Sequence, residues 1–364
     1  MKKMKKLFVV PAVIGFAVIA HAQDPSFSQF FSSPLNINPA LTANINSKLR
    51  FISNFRNQWI GPADPYTTGT ISFDTKIFQN VQTNYVDEIT RVGIGSMLMY
   101  DNTLSGGLKG SYASLNVTGN VRLARGNGRE LNGYKIRHLS KIKMDLSAEQ
   151  RLGIGLGISY GNRRIDVTKL TFEDQFTGAG FDTNLPTGET ALSTMKPFLS
   201  ANAGIIYTYT SINQYTNFDI GVAAFHINKP KQTFLDDENQ RLAPRYVAHA
   251  NLETALTDIA FINANGIYQY QSGASYFSIG AALGYYLPTL DVTKIVTAGL
   301  WYWSNNAIIP YFGVTIGDFQ VGLSYDVTIS KLKEAPKRLH TFELSLILRG
   351  GTKAFDGVIP APWK

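Results

Sequence analysis

The chain has 364 residues with few charges, abundant glycine and no cysteine. Charged residues make up 16% of the chain, against roughly 25% in soluble domains, whereas aromatic residues reach 12%. The lack of cysteine excludes disulfide scaffolds, thiol catalysis, Cys-based zinc sites and lipid attachment through cysteine. The formal net charge of +8 is not organised into a basic helix, a Cys/His finger or an RNP-like motif, so we expect no nucleic-acid partner.

Residues 1–22 have the pattern of a secretory signal peptide. Four lysines precede an apolar stretch over residues 7–19, and Ala20-His21-Ala22 is a cleavage motif in front of Gln23. A short membrane anchor is the alternative interpretation. Cleavage would remove the four lysines and lower the formal net charge from +8 to +4. After this leader, no run approaches the roughly 18 apolar residues of a membrane-spanning helix.

The rest of the chain is dominated by segments in which apolar and polar residues alternate, the period of a strand with two different faces. Most of these segments are longer than ordinary strands and are long enough to cross a bilayer when tilted. In chain order, the pattern predicts fourteen strands, at 48–56, 66–78, 91–101, 111–123, 150–160, 196–210, 217–226, 244–256, 259–270, 274–286, 294–303, 307–316, 318–328 and 339–349.

Very short connections interleave with longer ones, such as 161–195 and 227–243, as in outer-membrane barrels. We therefore predict an all-β fold, a transmembrane antiparallel β-barrel of about 14 strands over residues 48–349 in the outer membrane. If the short turns face the periplasm, both termini lie on that side. A soluble β-sandwich or propeller is the alternative, although no repeat of fixed period supports a propeller.

Two sets of residues define the predicted inside and edges of this barrel. The polar phase of the strands should face the lumen, and it contains Asp74, Lys76, Asn116, Thr118, Asn120, Arg122, Arg245, Asn251, Glu253, Gln320, Asp326 and Glu343. Aromatic residues near strand ends should form two interfacial girdles, and these are Tyr100, Tyr160, Tyr207, Tyr209, Tyr268, Tyr270, Tyr285, Tyr286, Trp301 and Trp303.

Three segments do not follow the strand pattern. Residues 23–47 precede the first strand and are rich in aromatic, proline and asparagine residues. Residues 124–149 form a basic insert, which is either a solvated turn or a contact surface for an acidic partner or the cell-wall layer. Residues 350–364 form a tail after the last strand.

Several short motifs resemble catalytic ones, but their context does not suit catalysis. The stretch from Gly157 to Gly161 matches G-x-S-x-G around Ser159, yet it lies inside an alternating strand without a following helix. None of the histidines after the leader has metal-ligand spacing, so we expect no metal, no cofactor and no enzymatic activity. An outer-membrane hydrolase that uses Ser159 or His249 is a minor alternative.

The region from residue 23 to residue 68 carries a family resemblance. It contains Gln-Asp, Phe-Ser-Gln-Phe, Asn-Pro-Ala, Arg-Asn-Gln-Trp and Pro-Tyr-Thr-Thr in that order, and Gly-Leu-Ser-Tyr-Asp-Val and Phe-Glu-Leu-Ser-Leu stretches lie near the other end. This set resembles the PorP/SprF family of outer-membrane proteins, which is associated with type IX secretion and gliding motility. The basic insert and the tail depart from the family pattern.

The resemblance implies a non-enzymatic barrel that binds or anchors a secreted surface protein, with the C-terminal domain of that protein as the candidate contact, and that contacts periplasmic parts of the secretion machinery. The residues that the resemblance marks, as partner contacts or as a plug of the barrel, are Gln23, Asp24, Phe27, Gln29, Phe30, Asn38, Pro39, Arg56, Gln58 and Trp59. Candidates in the predicted extracellular loops are Phe172, Phe176, Phe181 and Phe234. A porin-like channel for small or hydrophobic solutes remains the alternative function.

Overall fold

A computed structural model of the chain describes eleven ranges of residues. These are 24–61, 65–82, 87–103, 107–124, 148–166, 170–187, 195–211, 215–232, 240–287, 292–331 and 339–351. The predicted signal peptide, Gln23, most of the basic insert, Phe234 and most of the tail lie outside them. None of the helices in these ranges has both the length and the apolar character that a membrane-crossing helix needs.

The described residues form fourteen strands, each within a few residues of its predicted position, except for a short interruption in β13. In chain order, β1 to β14 are Leu49–Ile60, Tyr66–Gln82, Asp87–Thr103, Leu108–Ala124, Ala148–Ile165, Phe198–Ser211, Thr216–Phe225, Arg245–Thr257, Ala260–Gln271, Ala274–Leu287, Lys294–Trp303, Ala307–Ile316, Phe319–Tyr325 and His340–Gly350. Strand β13 resumes after Asp326 as Val327–Thr328, which pairs with β12.

The strands close into one antiparallel barrel, which confirms the predicted fold class. Each strand pairs with its neighbour along the chain, and β1 pairs with β14 from Leu49 opposite Gly350 to Arg56 opposite Glu343. Closure removes the two free edges that an open sheet would expose. Every strand therefore has one face on the outside of the barrel and one face toward its lumen.

Alternation along each strand separates an apolar outside from a polar inside. On β4, Leu115 and Val117 are 70% and 52% exposed, whereas Asn116 and Thr118 are 3% and 1% exposed. An outer surface of large exposed apolar side chains is the one that lipid favours. Of the predicted lumen residues, all are buried except Lys76, which is half-buried.

The prediction for the aromatic residues was only partly right. Tyr100, Tyr160, Tyr268 and Tyr270 are exposed on the outer surface as a girdle requires. Trp301, Trp303 and Tyr286 were wrongly assigned to the girdle, because both tryptophans are buried on the lumen face and Tyr286 packs against the buried Phe261. Apart from Lys294 at its start and Thr297, strand β11 is apolar on both faces, so the alternation of polarity gave little indication of which face its tryptophans share.

The barrel has two different ends. The long-loop end carries the connections 166–197 and 226–244, and the short-turn end carries turns such as 258–259 and 317–318. Strand β1 begins and β14 ends at the short-turn end, as an even number of strands predicts.

Residues 24–48 run through the lumen before β1 begins, and we call residues 24–46 the N-terminal segment. The segment contains three single-turn helices, Phe30–Ser32, Pro34–Ile37 and Pro39–Leu41, and nearly all of its residues are buried. Its first described residue, Asp24, contacts side chains at the long-loop end. The prediction that both termini lie at the short-turn end is therefore wrong for the N-terminus of this segment, although it holds for strands β1 and β14.

The outer surface gives a prediction about depth in the membrane. Leu156 lies in the middle of β5 and is 63% exposed, while Leu199 lies near the end of β6 and is 61% exposed. We expect Leu156→Arg to lower the free energy of unfolding in lipid by about 2–4 kcal/mol and Leu199→Arg by less than about 1 kcal/mol. Denaturant titration in liposomes measures both changes, and equal losses would contradict the assignment of the outer face.

Candidate functional site

The N-terminal segment fits the lumen because glycines on the inner wall leave room for its backbone. A Cβ atom added at Gly155 of β5 would overlap the backbone of Pro39 and Ala40, and one added at Gly204 of β6 would overlap the Asn38 side chain. Gly155 and Gly204 therefore allow a close approach between strand and segment that any side chain would prevent.

The Phe-Ser-Gln motif is bound by the last two strands. The backbone N–H groups of Ser28 and Gln29 donate to the two carboxylate oxygens of Glu343, at 2.5 and 2.8 Å. The Gln29 side chain donates to Ser324 at 3.0 Å and accepts from Ser345 at 2.8 Å. The stretches that carried the family resemblance at opposite ends of the sequence are therefore in direct contact.

Arg56 joins this contact to the first strand. Its guanidinium lies 3.2 Å from the carboxylate of Asp326 and 3.3 Å from that of Glu343, and it also donates to the backbone oxygen of Ser26. Arg56 and both carboxylates are nearly fully buried. Removing one partner from such a group leaves an uncompensated buried charge, so the three side chains stabilise the docked segment as a unit.

The Asn-Pro-Ala motif is held halfway along the lumen. The side-chain amide of Asn38 donates to the backbone oxygens of Ile205 and Val222, at 3.1 and 3.3 Å, and lies 3.0 Å from Nε2 of His249. Its side-chain oxygen accepts from the N–H of Ala40 at 2.8 Å and caps the following helical turn. Asn38 is fully buried, so its polar atoms require these partners.

A buried ion pair holds the end of the segment next to β1. Arg50 and Asp74 meet at 2.7 Å, and the same carboxylate accepts from the N–H of Ala43 at 2.7 Å. Arg50 also donates to the backbone oxygen of Leu41 at 3.3 Å. Asp74 was among the predicted lumen residues and Arg50 was not, although Arg50 occupies an inward position of β1 by simple alternation.

Aromatic side chains fill the space between the polar contacts. Phe31 packs against Trp301 with ring centroids 4.7 Å apart and against Tyr311 at 5.3 Å. Phe30 belongs to the same buried cluster. This packing explains why Trp301 faces the lumen, since it provides an apolar surface that the segment covers.

Asp24 fastens the segment at the long-loop end. Its carboxylate lies 2.8 Å from Nε2 of His226 and 3.2 Å from Nε of Arg245, and its N–H donates to Gln271 at 2.8 Å. Burial by itself would raise the pKa of Asp24. The charges of His226 and Arg245 and the hydrogen bond from His226 outweigh that effect and hold the pKa well below its ordinary value.

A cavity of about 1070 Å³ opens at the long-loop end above the N-terminal segment, and we call it the vestibule. Asp24, Pro25 and Ser26 form part of its lining, together with Gln58 and Trp59 of β1. The predicted site residues therefore fall into two groups. Phe27, Gln29, Phe30, Asn38 and Pro39 are buried inside the barrel, while Asp24, Arg56, Gln58 and Trp59 line the vestibule.

The loop candidates occupy a compact hairpin in the connection between β5 and β6. Phe176 and Phe181 pair across this hairpin with ring centroids 5.2 Å apart, and they are 55% and 54% exposed. The buried side chain of Gln175 holds the hairpin, because it accepts from the N–H of Phe172 and donates to the oxygen of Leu185. Phe172 itself is half-buried.

The residues of the hydrolase alternative have other partners. The Ser159 hydroxyl accepts from the Asn202 amide at 2.7 Å, whereas His249 is engaged with Asn38. Among the described residues, no group of three or more His, Asp or Glu side chains converges as a metal site would require.

The glycine contact yields a test with a matched control. Gly155→Ala should lower the free energy of unfolding by about 1–3 kcal/mol, because the added methyl group collides with the segment. Gly119, on the neighbouring strand, faces outward and has open space at its Cβ position, so Gly119→Ala should change the free energy by less than about 0.5 kcal/mol. Urea titration of both variants measures the difference, and equal stabilities would show that the segment does not lie against β5.

The contacts of Asp24 predict a dependence on pH. Because the folded pKa is depressed, the contribution of Asp24 to stability is full above its ordinary pKa of about 3.9 and is lost as the pH falls below that value. Asp24→Asn should therefore destabilise the protein by about 3 kcal/mol at pH 7, and the gap from wild type should shrink below about pH 4. Asp258→Asn, in an exposed turn at the other end, is the control for the unfolding measurements. A gap that does not change with pH would contradict the depressed pKa.

Comparisons with solved structures gave matches of low identity. CdiB from Acinetobacter baumannii is 8% identical with a TM-score of 0.42, over 83% of this chain and 60% of that chain. The toluene transporter TbuX from Ralstonia pickettii is 10% identical with a TM-score of 0.43, over 87% and 93%. A mutant porin from Rhodopseudomonas blastica is 9% identical with a TM-score of 0.29, over 82% and 98%. The chain thus spans about 60% of the length of CdiB.

No curated protein matches the sequence. A family model described as "Type IX secretion system membrane protein PorP/SprF" matches residues 19–348, which is most of the chain and includes every strand of the barrel up to β14. This family is non-enzymatic, and the barrel fits the outer membrane. The chain therefore belongs to the PorP/SprF family of type IX secretion system membrane proteins.

Proposed function

We propose that this barrel is a closed anchor, which holds a secreted surface protein at its long-loop end and contacts periplasmic parts of the secretion machinery at its short-turn end. The observation that carries the proposal is the N-terminal segment inside the lumen, which is bound by Glu343, Arg56 and the Arg50–Asp74 pair and donates through Asn38 to the backbone oxygens of Ile205 and Val222. A barrel whose interior is occupied along its length suits binding at its surface better than solute flow.

The same contacts support different roles for the two groups of signature residues. Phe27, Gln29, Phe30, Asn38 and Pro39 are buried between segment and wall, so they act as parts of a plug. Gln58 and Trp59 line the vestibule and are only half-buried, so they act as partner contacts, whereas Arg56 also lines the vestibule but is buried and binds the segment. The N-terminal signature thus serves both functions, at different depths.

The hairpin with Phe176 and Phe181 is the second contact surface for the client. It is ordered by its own hydrogen bonds, including the Asp182 N–H to the Gln175 oxygen at 2.8 Å, yet its two phenyl rings remain exposed. Exposed aromatic residues that are already ordered lose little conformational entropy on binding and are frequent interface anchors. Glu173, Asp174 and Asp182 flank them without a lysine or arginine in residues 170–187, which favours a client with a basic rim around an apolar pocket.

The placement of the long-loop end at the cell surface follows the rule that long loops of outer-membrane barrels face outward and short turns face the periplasm. The C-terminal domain of a secreted protein would then bind outside. The basic insert, residues 124–149, would extend into the periplasm, where machinery components with acidic surfaces could bind it.

Conductance separates the anchor from the alternative of a porin-like channel. In planar bilayers we expect the intact protein to show no large steady conductance, and a variant that lacks residues 24–44 to conduct, because the plug is gone. A large steady conductance of the intact protein would overturn the plug and favour the channel.

Affinity purification from the native envelope tests the anchor directly. We expect the intact protein to retain a secreted surface protein, identified by mass spectrometry, and the double variant Phe176→Ser, Phe181→Ser to lose most of it. Tyr215→Ser is the control, because Tyr215 is 49% exposed at the short-turn end. Equal retention by all three proteins would exclude the hairpin as the contact, and no retained surface protein at all would refute anchoring.

A further inference from the structure

We infer that the vestibule is a binding site for a neutral oligosaccharide. The inference goes beyond the anchoring of a protein, since it concerns a ligand for the cavity itself. Its volume of about 1070 Å³ is slightly above the roughly 300–1,000 Å³ of typical ligand pockets, which suits several sugar units better than one.

The first argument is the orientation of Trp59. Neighbouring Arg56 and Gln58 occupy inward positions of β1, so simple alternation would turn Trp59 outward. A register shift between Asn57 and Ile60, with Trp59 at a φ of 64°, turns its indole into the vestibule instead. A left-handed conformation is unfavourable for a bulky residue and is often retained where a ligand is bound, and bulges commonly re-aim a side chain.

The second argument is that aromatic surfaces in the vestibule come in pairs. The rings of Trp59 and Tyr66 lie 5.0 Å apart, and those of Tyr276 and Trp303 lie 5.0 Å apart on strands β10 and β11. All four side chains line the cavity, but Trp303 is 8% exposed and the Arg56 guanidinium lies over its ring, so the accessible aromatic surfaces are those of Trp59, Tyr66 and Tyr276. The flat C–H faces of sugar rings stack on such surfaces, while their hydroxyl groups need polar partners nearby.

The polar lining supplies those partners without net charge. It contains the amides and hydroxyls of Gln58, Thr103, Ser275, Asn305, Asn306 and Ser330. The charged groups are engaged within the protein, because Asp24 binds His226, Arg56 binds Asp326, and Asp101 accepts from Thr68 at 2.7 Å. Lys331 is exposed at the margin.

This lining disfavours three other classes of ligand. A charged ligand would meet a lining in which two acidic and two basic side chains balance, and a hydrocarbon would leave the amides and hydroxyls without partners. An extended peptide that binds by strand addition needs a free sheet edge, and the described strands close into a barrel without one. A neutral sugar satisfies both the aromatic and the polar surfaces.

A glycan array probed with the purified full-length protein in detergent tests the inference. We expect neutral oligosaccharides to be retained in preference to charged ones, and toluene, the hydrocarbon probe, not to compete. For the best neutral glycan, titration should show that Trp59→Ala and, separately, Tyr66→Ala weaken binding by about tenfold, the loss of one aromatic contact. Trp59→Phe, which keeps an aromatic face, should bind more tightly than Trp59→Ala.

Tyr270→Ala is the matched control, because Tyr270 is 42% exposed on the outer surface of the barrel. Denaturant titration shows whether each variant is folded. If Trp59→Ala does not fold, Tyr66→Ala still tests the site. The inference is wrong if no neutral glycan binds the intact protein, if charged glycans or toluene bind instead, or if binding is unaffected by both vestibule variants. The result does not depend on the client, because anchoring is measured separately by the purification experiment.

Discussion

The whole structure depends on hydrogen bonds between the N-terminal segment and the polar inner face of the barrel. A closed sheet with one face in lipid must turn its polar side chains inward, and polar groups buried without partners are costly. The segment supplies partners for many of them, through Ser28, Gln29 and Asn38. It also brings Phe30 and Phe31, which give the inward tryptophans an apolar surface to contact. The lumen is therefore a protein core in which wall and segment stabilise each other.

Closure of the barrel and docking of the segment share the same side chains. Arg56 of β1 stands opposite Glu343 of β14 in the sheet, and both also bind the segment. A change at either residue therefore disturbs both the pairing of β1 with β14, which closes the barrel, and the binding of the N-terminal segment. This coupling gives a physical reason why the motifs at the two ends of the chain belong to one family pattern.

Strand positions could be predicted because almost every strand keeps the period of two. Lipid lies outside the barrel and polar groups lie inside, so the apolar residues of each strand identify its outer face and the polar residues its inner face. The prediction failed where both faces of a strand are largely apolar, as at Trp301. A bulge breaks the period at Trp59, so alternation does not describe the direction of that side chain. Arg50 was missed as a partner for the segment, because its role depends on a backbone that arrives from outside the sheet.

The sequence by itself determined the fold class, the number of strands, the inner and outer faces and the family. Each of these follows from the local periodicity of the strands or from short contiguous motifs. Only the tertiary structure decided that the N-terminal segment runs through the lumen to the long-loop end, and that glycines of β5 and β6 make room for it. It also decided which signature residues are buried and which line the vestibule. These facts depend on contacts between residues that are hundreds of positions apart, such as Ser28 and Glu343, and no local pattern records such contacts.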